Sequence, residues 1–138
     1  MTKRRNDSHS TEYGLWLRDE PSIDSSLGYV ATNIDYIWRN YKTGDWMIKK
    51  EKRYGGSDGC NNLPSNWQIK MFELIHGHIK RSADTLENSK YHGFYFIVFE
   101  NTTPNDGKIW INHVEVSKED YLSFLRFEKK YTSAFPNI

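Results

Sequence analysis

Cysteine is nearly absent from this chain: Cys60 is the single one in 138 residues. That excludes an internal disulfide framework and any cysteine-rich zinc site, and it fits a reducing, cytoplasmic setting. Long hydrophobic runs are missing as well. The longest, Gly93–Phe99, falls far short of the ~20 residues that a helix needs to span a bilayer, so no membrane association is expected. The N-terminal stretch lacks the apolar segment of a signal peptide. An excess of one charge is also absent, since 19 Lys and Arg against 18 Asp and Glu leave a net charge of +1. A bulk polycation is excluded, and any nucleic-acid binding has to come from local clusters.

Aromatic residues, by contrast, are abundant at 15%, with 5 Trp, 9 Tyr and 7 Phe. That content argues for an ordered, well-packed fold rather than disorder. The length fits one domain. Met1–Glu12 is polar, carries Lys3, Arg4 and Arg5, and reads as a flexible tail. Residues 13–138 then form a single domain.

Tyr13, Leu15, Trp16 and Leu17 fit a short helix that Pro21 ends. Gly28–Trp38 is rich in β-branched and aromatic residues and reads as a strand. Thr43-Gly44-Asp45 is a turn signal, and Trp46–Tyr54 is a second strand, so the two predict an antiparallel hairpin. Gly55–Asn62, which contains Cys60, is a loop by composition. Ser65 with Gln68 three residues on is a capping-box pattern. Met71, Phe72, Ile75 and Ile79 then recur at helical spacing. Residues 82–90 are a polar connection. Tyr91–Phe99 reads as a buried central strand. Pro104-Asn105-Asp106-Gly107 marks a turn into a strand over Lys108–Val116. Ser117 caps a final helix whose apolar face is Tyr121, Leu122, Phe124 and Leu125. The expected class is α/β (α+β): a mixed central β-sheet flanked by helices. The expected core is Ile34, Ile37, Ile48, Met71, Phe72, Ile75, Ile79, Phe94, Phe96, Val98, Ile109, Ile111, Val114 and Leu122.

The common catalytic motifs are missing. His76 and His78 are two apart on a predicted helix, so they point to different sides and do not share a metal. His113 stands alone in a strand, and Cys60 has no neighbouring nucleophile signature. The informative stretch is the first hairpin. Asp35 is a carboxylate in an apolar strand, and Lys49-Lys50-Glu51-Lys52-Arg53 ends the paired strand. A buried charge is expensive, so Asp35 sits either at a solvent face or in a site. The charged run is equally what a solvated strand end looks like.

Asp35, Lys52 and Gln68, with Phe72 one turn beyond Gln68, resemble the PD-(D/E)XK nuclease superfamily. The resemblance spans Gly28–Phe99 and rests as much on the order strand, strand, helix, strand as on the motif. It implies a restriction-endonuclease-like core, DNA as partner, Mg²⁺ as cofactor, and a homodimer as one way to cut both strands. In that reading Asp35 binds Mg²⁺, a cation that prefers oxygen ligands, and the Glu51 backbone carbonyl adds a ligand. Lys52 positions or deprotonates the attacking water, and Gln68 orients it. Glu12, Glu20 and Asp24 are candidates for an upstream metal ligand. Lys49, Arg53 and Lys70 are expected at phosphates. The departure is Lys50, which stands where the family has an acid, with 14 residues between it and Asp35. Moving the register by one puts Glu51 at the acid position, but Arg53 then replaces the lysine and the side chains change face. The chain therefore reads as a Mg²⁺-dependent DNA endonuclease by descent, weak or inactive as written. It is either an inactivated variant or a protein that has lost catalysis. The alternatives are a non-catalytic nucleic-acid-binding protein and a phage-type protein-interaction module, in either case in the cytoplasm, the host's if a phage encodes it.

Overall fold

The computed structural model describes residues 12–23, 25–27, 34–53, 66–82 and 85–138. By internal contacts the chain divides into two compact units, Met1–Asn33 and Ile34–Ile138. In the first, helix α1 spans Glu12–Asp19, and short 3₁₀ turns follow at Pro21–Ile23 and Ser25–Leu27. The expected stop at Pro21 is observed: proline has no N–H for the helical ladder. Tyr13 and Trp16, three residues apart on α1, stack with ring centroids 5.8 Å apart.

The second unit is an α+β fold on one mixed sheet. Its elements are β1 (Tyr36–Arg39), β2 (Trp46–Arg53), α2 (Asn66–Arg81), α3 (Leu86–Ser89), β3 (Tyr91–Phe99), β4 (Ile109–Ile111), β5 (Val114–Val116) and α4 (Lys118–Leu125). The strands lie in chain order, and only β2 and β3 run parallel. A parallel pair needs a crossover, and α2 lies in it. β3 is the central strand and is buried at most positions, as its near-continuous apolar sequence predicts for a strand covered on both faces.

The two faces carry separate cores. On one, Met47, Tyr95, Ile97, Ile109 and Ile111 pack with Tyr121 and Phe124 of α4. On the other, Ile48 and Phe94 pack with Phe72 of α2 and Phe135 of the C-terminal segment. Ser117 caps α4, its hydroxyl accepting the Asp120 N–H at 3.1 Å. The first hairpin is antiparallel as expected. Its turn uses the Asn40 carboxamide oxygen as acceptor for the Lys42 N–H at 2.9 Å, and Gly44 at φ +86° supplies the left-handed step.

Several expectations are corrected. β1 begins at Tyr36 and Asp35 precedes it; residues 28–33 lie outside the described residues, as do Tyr54, the 55–62 loop with Cys60, and Ser65. The connection 82–90 contains α3. The single strand expected over Lys108–Val116 is two strands, broken at Asn112 and His113, whose φ values are 47° and 72°. Two successive positive φ angles make the tight hairpin turn usually signalled by Asn-Gly. Asn112 is held there from both ends: its side-chain oxygen accepts the Phe96 N–H at 2.8 Å, and its amide donates to the Thr132 carbonyl at 2.7 Å.

Of the expected core, Ile48, Phe72, Phe94, Val98, Ile109 and Ile111 are buried. Ile34, Ile75, Ile79 and Phe96 are half-buried against the α2-side cluster. Ile37, Met71, Val114 and Leu122 are exposed. Ile37 and Val114 sit on the two edge strands, β1 and β5. Met71 and Leu122 lie one residue, ~100° of helical rotation, from the buried Phe72 and Tyr121.

Candidate functional site

The pairing of β1 with β2 builds the site. Tyr36 faces Lys49, so the next residue out, Asp35, comes beside Lys50 and Glu51. The Asp35 carboxylate accepts the Glu51 backbone N–H at 2.6 Å, and the same oxygen lies 3.6 Å from Lys50 Nζ. At that distance the lysine contact is an ion pair rather than a good hydrogen bond. It is partly buried, with side chains 25% and 15% exposed for Asp35 and Lys50, and we call this partly solvated spot the cleft.

Strand alternation sorts the rest of the charged run. Lys50 and Lys52 share the face of Ile48, which α2 covers. They are two residues apart, so ~7 Å along the strand, and Lys52 is exposed. Gln68 is half-buried in the first full turn of α2 and shares the side of Phe72, which packs on this face. Asp35, Lys50 and Lys52 therefore share the face of the sheet that α2 covers, and Gln68 lies on the sheet-facing side of that helix. Arg53 ends β2. Lys70 is exposed and lies two residues, ~200° of rotation, beyond Gln68, so it points away from the sheet and does not join the cleft. Glu12 and Glu20 belong to the N-terminal unit, and Asp24 lies outside the described residues.

Lys49 requires a correction. Expected at a phosphate, it is 4% exposed on the opposite face. Its ammonium donates to Glu51 Oε2 at 3.1 Å and to the Tyr121 hydroxyl at 3.4 Å. The rings of Tyr36, Trp38 and Tyr121 surround it at 5.0, 5.2 and 5.8 Å from their centroids. Aromatic faces carry negative potential, so three rings and one carboxylate take the place of water around the charge. Burial, and then the Glu51 carboxylate, push the Tyr121 phenol up, so it stays a neutral hydroxyl. Glu51 thus turns its side chain away from the cleft and presents only its backbone to Asp35. The alternation Tyr36-x-Trp38 across from Met47-x-Lys49 is the sequence signal that carried this cage.

Two histidines are also tied into the fold. His92 Nε2 lies 2.9 Å from Asp45 Oδ1, and the Thr43 hydroxyl donates to Oδ2 at 2.7 Å. These bonds, that of His92 first, hold the Asp45 carboxyl below the usual range. His76 is buried on α2 with Nδ1 2.8 Å from the Tyr91 hydroxyl, and burial lowers its pKa.

The cleft does not fit a Mg²⁺ ion as it stands. Mg²⁺ demands several oxygens in octahedral array, but the Asp35 carboxylate already holds a backbone N–H and an ammonium. No group of three His, Cys, Asp or Glu side chains able to hold a metal occurs among the described residues. No helix among them is long and apolar enough to cross a membrane. Comparison with family models, curated proteins and solved structures finds no match.

Proposed function

We propose that the chain is a nuclease-type domain by descent, built to engage DNA phosphates, whose hydrolytic step is switched off by an internal cation. The observation that carries this reading is the Lys50 ammonium 3.6 Å from Asp35 Oδ2. A carboxylate beside a strand end, a lysine two residues after the Lys50 position, and a helix glutamine on the same face are the residue types that phosphodiester hydrolysis uses. The missing part is a second acid. Lys50 supplies positive charge where that acid and a cation together would otherwise sit. The order β1, β2, α2, β3, with β2 and β3 parallel, supports a restriction-endonuclease-like core. Where β1 meets β2, this face carries Lys50 and Lys52 against Asp35, and that local balance favours a phosphate ligand over a divalent metal.

The test is Lys50→Glu. The variant is expected to gain a Mg²⁺-dependent rise in melting temperature and to nick plasmid DNA in a reaction that EDTA stops, while the parent does neither. Lys50→Glu combined with Asp35→Ala is expected to lose both. A folded Lys50→Glu protein that neither responds to Mg²⁺ nor cuts single-stranded, double-stranded or branched DNA overturns the reading.

A further inference from the structure

A groove of about 510 Å³ opens between the β1–β2 turn and the C-terminal end of α4, with Trp38, Arg39, Tyr41, Lys42, Arg126 and Phe127 among its lining. It lies on the opposite side of β1 from Asp35 along the chain: Asp35 precedes the strand and Asn40 and Tyr41 follow it. We propose that this groove binds single-stranded nucleic acid, stacking bases on Tyr41 and Trp38 and seating phosphates on Lys42 and, round the free edge of β1, on Arg39, which pairs with Trp46 and so starts from the other face of the strand. The proposal shares a ligand class with the cleft but uses none of its residues.

Its chemistry points to that ligand. Tyr41 is 82% exposed, far more than an aromatic ring with a packing role would be, and Trp38 is 39% exposed. The Trp38 ring is fixed, because its indole N–H donates to the Leu125 carbonyl at 2.7 Å. A ring held by its edge and still 39% exposed, although Lys49 lies over it at 5.2 Å, offers a stacking platform. Arg39 and Lys42 have no carboxylate partner among the described residues, whereas Arg126 is paired with Glu128 at 2.8 Å. The groove and its edge therefore carry two cations without a described carboxylate partner, together with exposed rings, the combination that tracks a nucleic-acid backbone while tolerating any base.

The far wall is built at a cost. Phe127 has φ 60°, a left-handed conformation that a bulky side chain avoids. It closes α4 as glycine usually does: the Phe127 N–H donates to the Phe124 carbonyl at 3.0 Å and the Glu128 N–H to the Ser123 carbonyl at 2.9 Å. The Phe127 ring packs against His92 at 4.7 Å between centroids. This turn carries Arg126 and Glu128 to the rim. An acidic peptide would satisfy the cations but would leave the two open rings without a flat partner, so nucleic acid is favoured.

Fluorescence anisotropy with a labelled oligothymidylate of about a dozen nucleotides tests the proposal. The parent is expected to bind at low salt. Tyr41→Ala should weaken binding about tenfold, with an unchanged salt slope, and Tyr41→Phe should restore it. Arg39→Ala with Lys42→Ala should reduce the slope of log affinity against log salt by about 1.4, from ~0.7 per single-strand phosphate contact. All three variants alter exposed residues, and an unchanged melting temperature shows that each is folded. No binding by the parent, or equal binding by parent and Tyr41→Ala, overturns the proposal. So does displacement by polyglutamate as effective as by unlabelled oligothymidylate, which would mark an acidic-peptide surface. Because Lys50→Glu is read by cleavage and these variants by binding, failure of the groove and failure of the cleft give different results.

Discussion

Lys49 and Lys50 are adjacent in β2, yet they have opposite surroundings. Lys49 points to the α4 face, is 4% exposed, and is enclosed by Glu51 and the rings of Tyr36, Trp38 and Tyr121. Lys50 points to the α2 face and meets Asp35 in the partly solvated cleft. One step along a strand exchanges a dry, fully furnished site for one that solvent reaches. The first lysine fastens β1, β2 and α4 together; the second pairs with Asp35 where solvent still reaches it. Pleat parity sends the two identical side chains to opposite faces, and their surroundings there make one a buried clamp and the other a partly solvated ion-pair partner.

The largest effect that can break this contrast is at Lys49. Lys49→Ala strands the partly buried Glu51 carboxylate, and losing one partner of a buried pair costs about 3–5 kcal/mol, read as a lower urea midpoint. Replacing the pair together, Lys49→Met with Glu51→Leu, is expected to recover most of that loss, since apolar substitutes of similar volume need no partner. Equal destabilisation by the single and double variants would show that the cage is held by something other than the pair.

The α2 face has its own buried titratable group, His76. Burial, and secondarily the positive charge of Lys80, lower its pKa. Its folded pKa therefore lies below the unfolded value of ~6.5. The unfolded chain binds the proton first, so this stability is present above pH ~6.5 and is lost as pH falls toward the folded value, at up to ~1.4 kcal/mol per pH unit. His76→Gln keeps a polar group for the Tyr91 hydroxyl and does not titrate. It should flatten the loss of stability between neutral and mildly acid pH, measured by denaturant titration at several pH values. An unchanged pH profile would place the acid sensitivity elsewhere.

Trp38→Phe sharpens the comparison on the α4 side. It keeps a ring over Lys49 but removes the hydrogen bond to Leu125, so about 1 kcal/mol is expected. The smallest effect is at the cleft. Lys50→Ala should change stability by about 1 kcal/mol or less, with the difference shrinking in salt, because the pair is partly solvated. A loss at Lys50 as large as that at Lys49 would erase the distinction between the two faces.

Much of this was readable in the chain. The turn at Thr43-Gly44-Asp45 and the two flanking apolar runs dictate the hairpin and its register, and with them the approach of Asp35 to Lys50. The apolar run of Tyr91–Phe99 marks the centre of the sheet, because a strand covered on both sides has no polar face to show. The Phe72, Ile75, Ile79 stripe orients α2 and puts Gln68, one turn before Phe72, on its sheet-facing side. The Asn112-His113 turn was not readable: neither residue is a glycine, and what holds Asn112 at positive φ is a pair of hydrogen bonds to Phe96 and Thr132, far along the chain.

Sequence periodicity by itself determined that Lys49 and Lys50 lie on opposite faces, since side chains alternate along any strand. Only the tertiary structure decided which face closes. Tyr121 and the Leu125 carbonyl reach Lys49 and Trp38 from α4, which is 72 and 87 residues away along the chain. Local pattern carries parity, whereas coverage depends on strand order and on where a distant helix docks. That is why a lysine from one charged run became a buried clamp while its neighbour remained in a cleft.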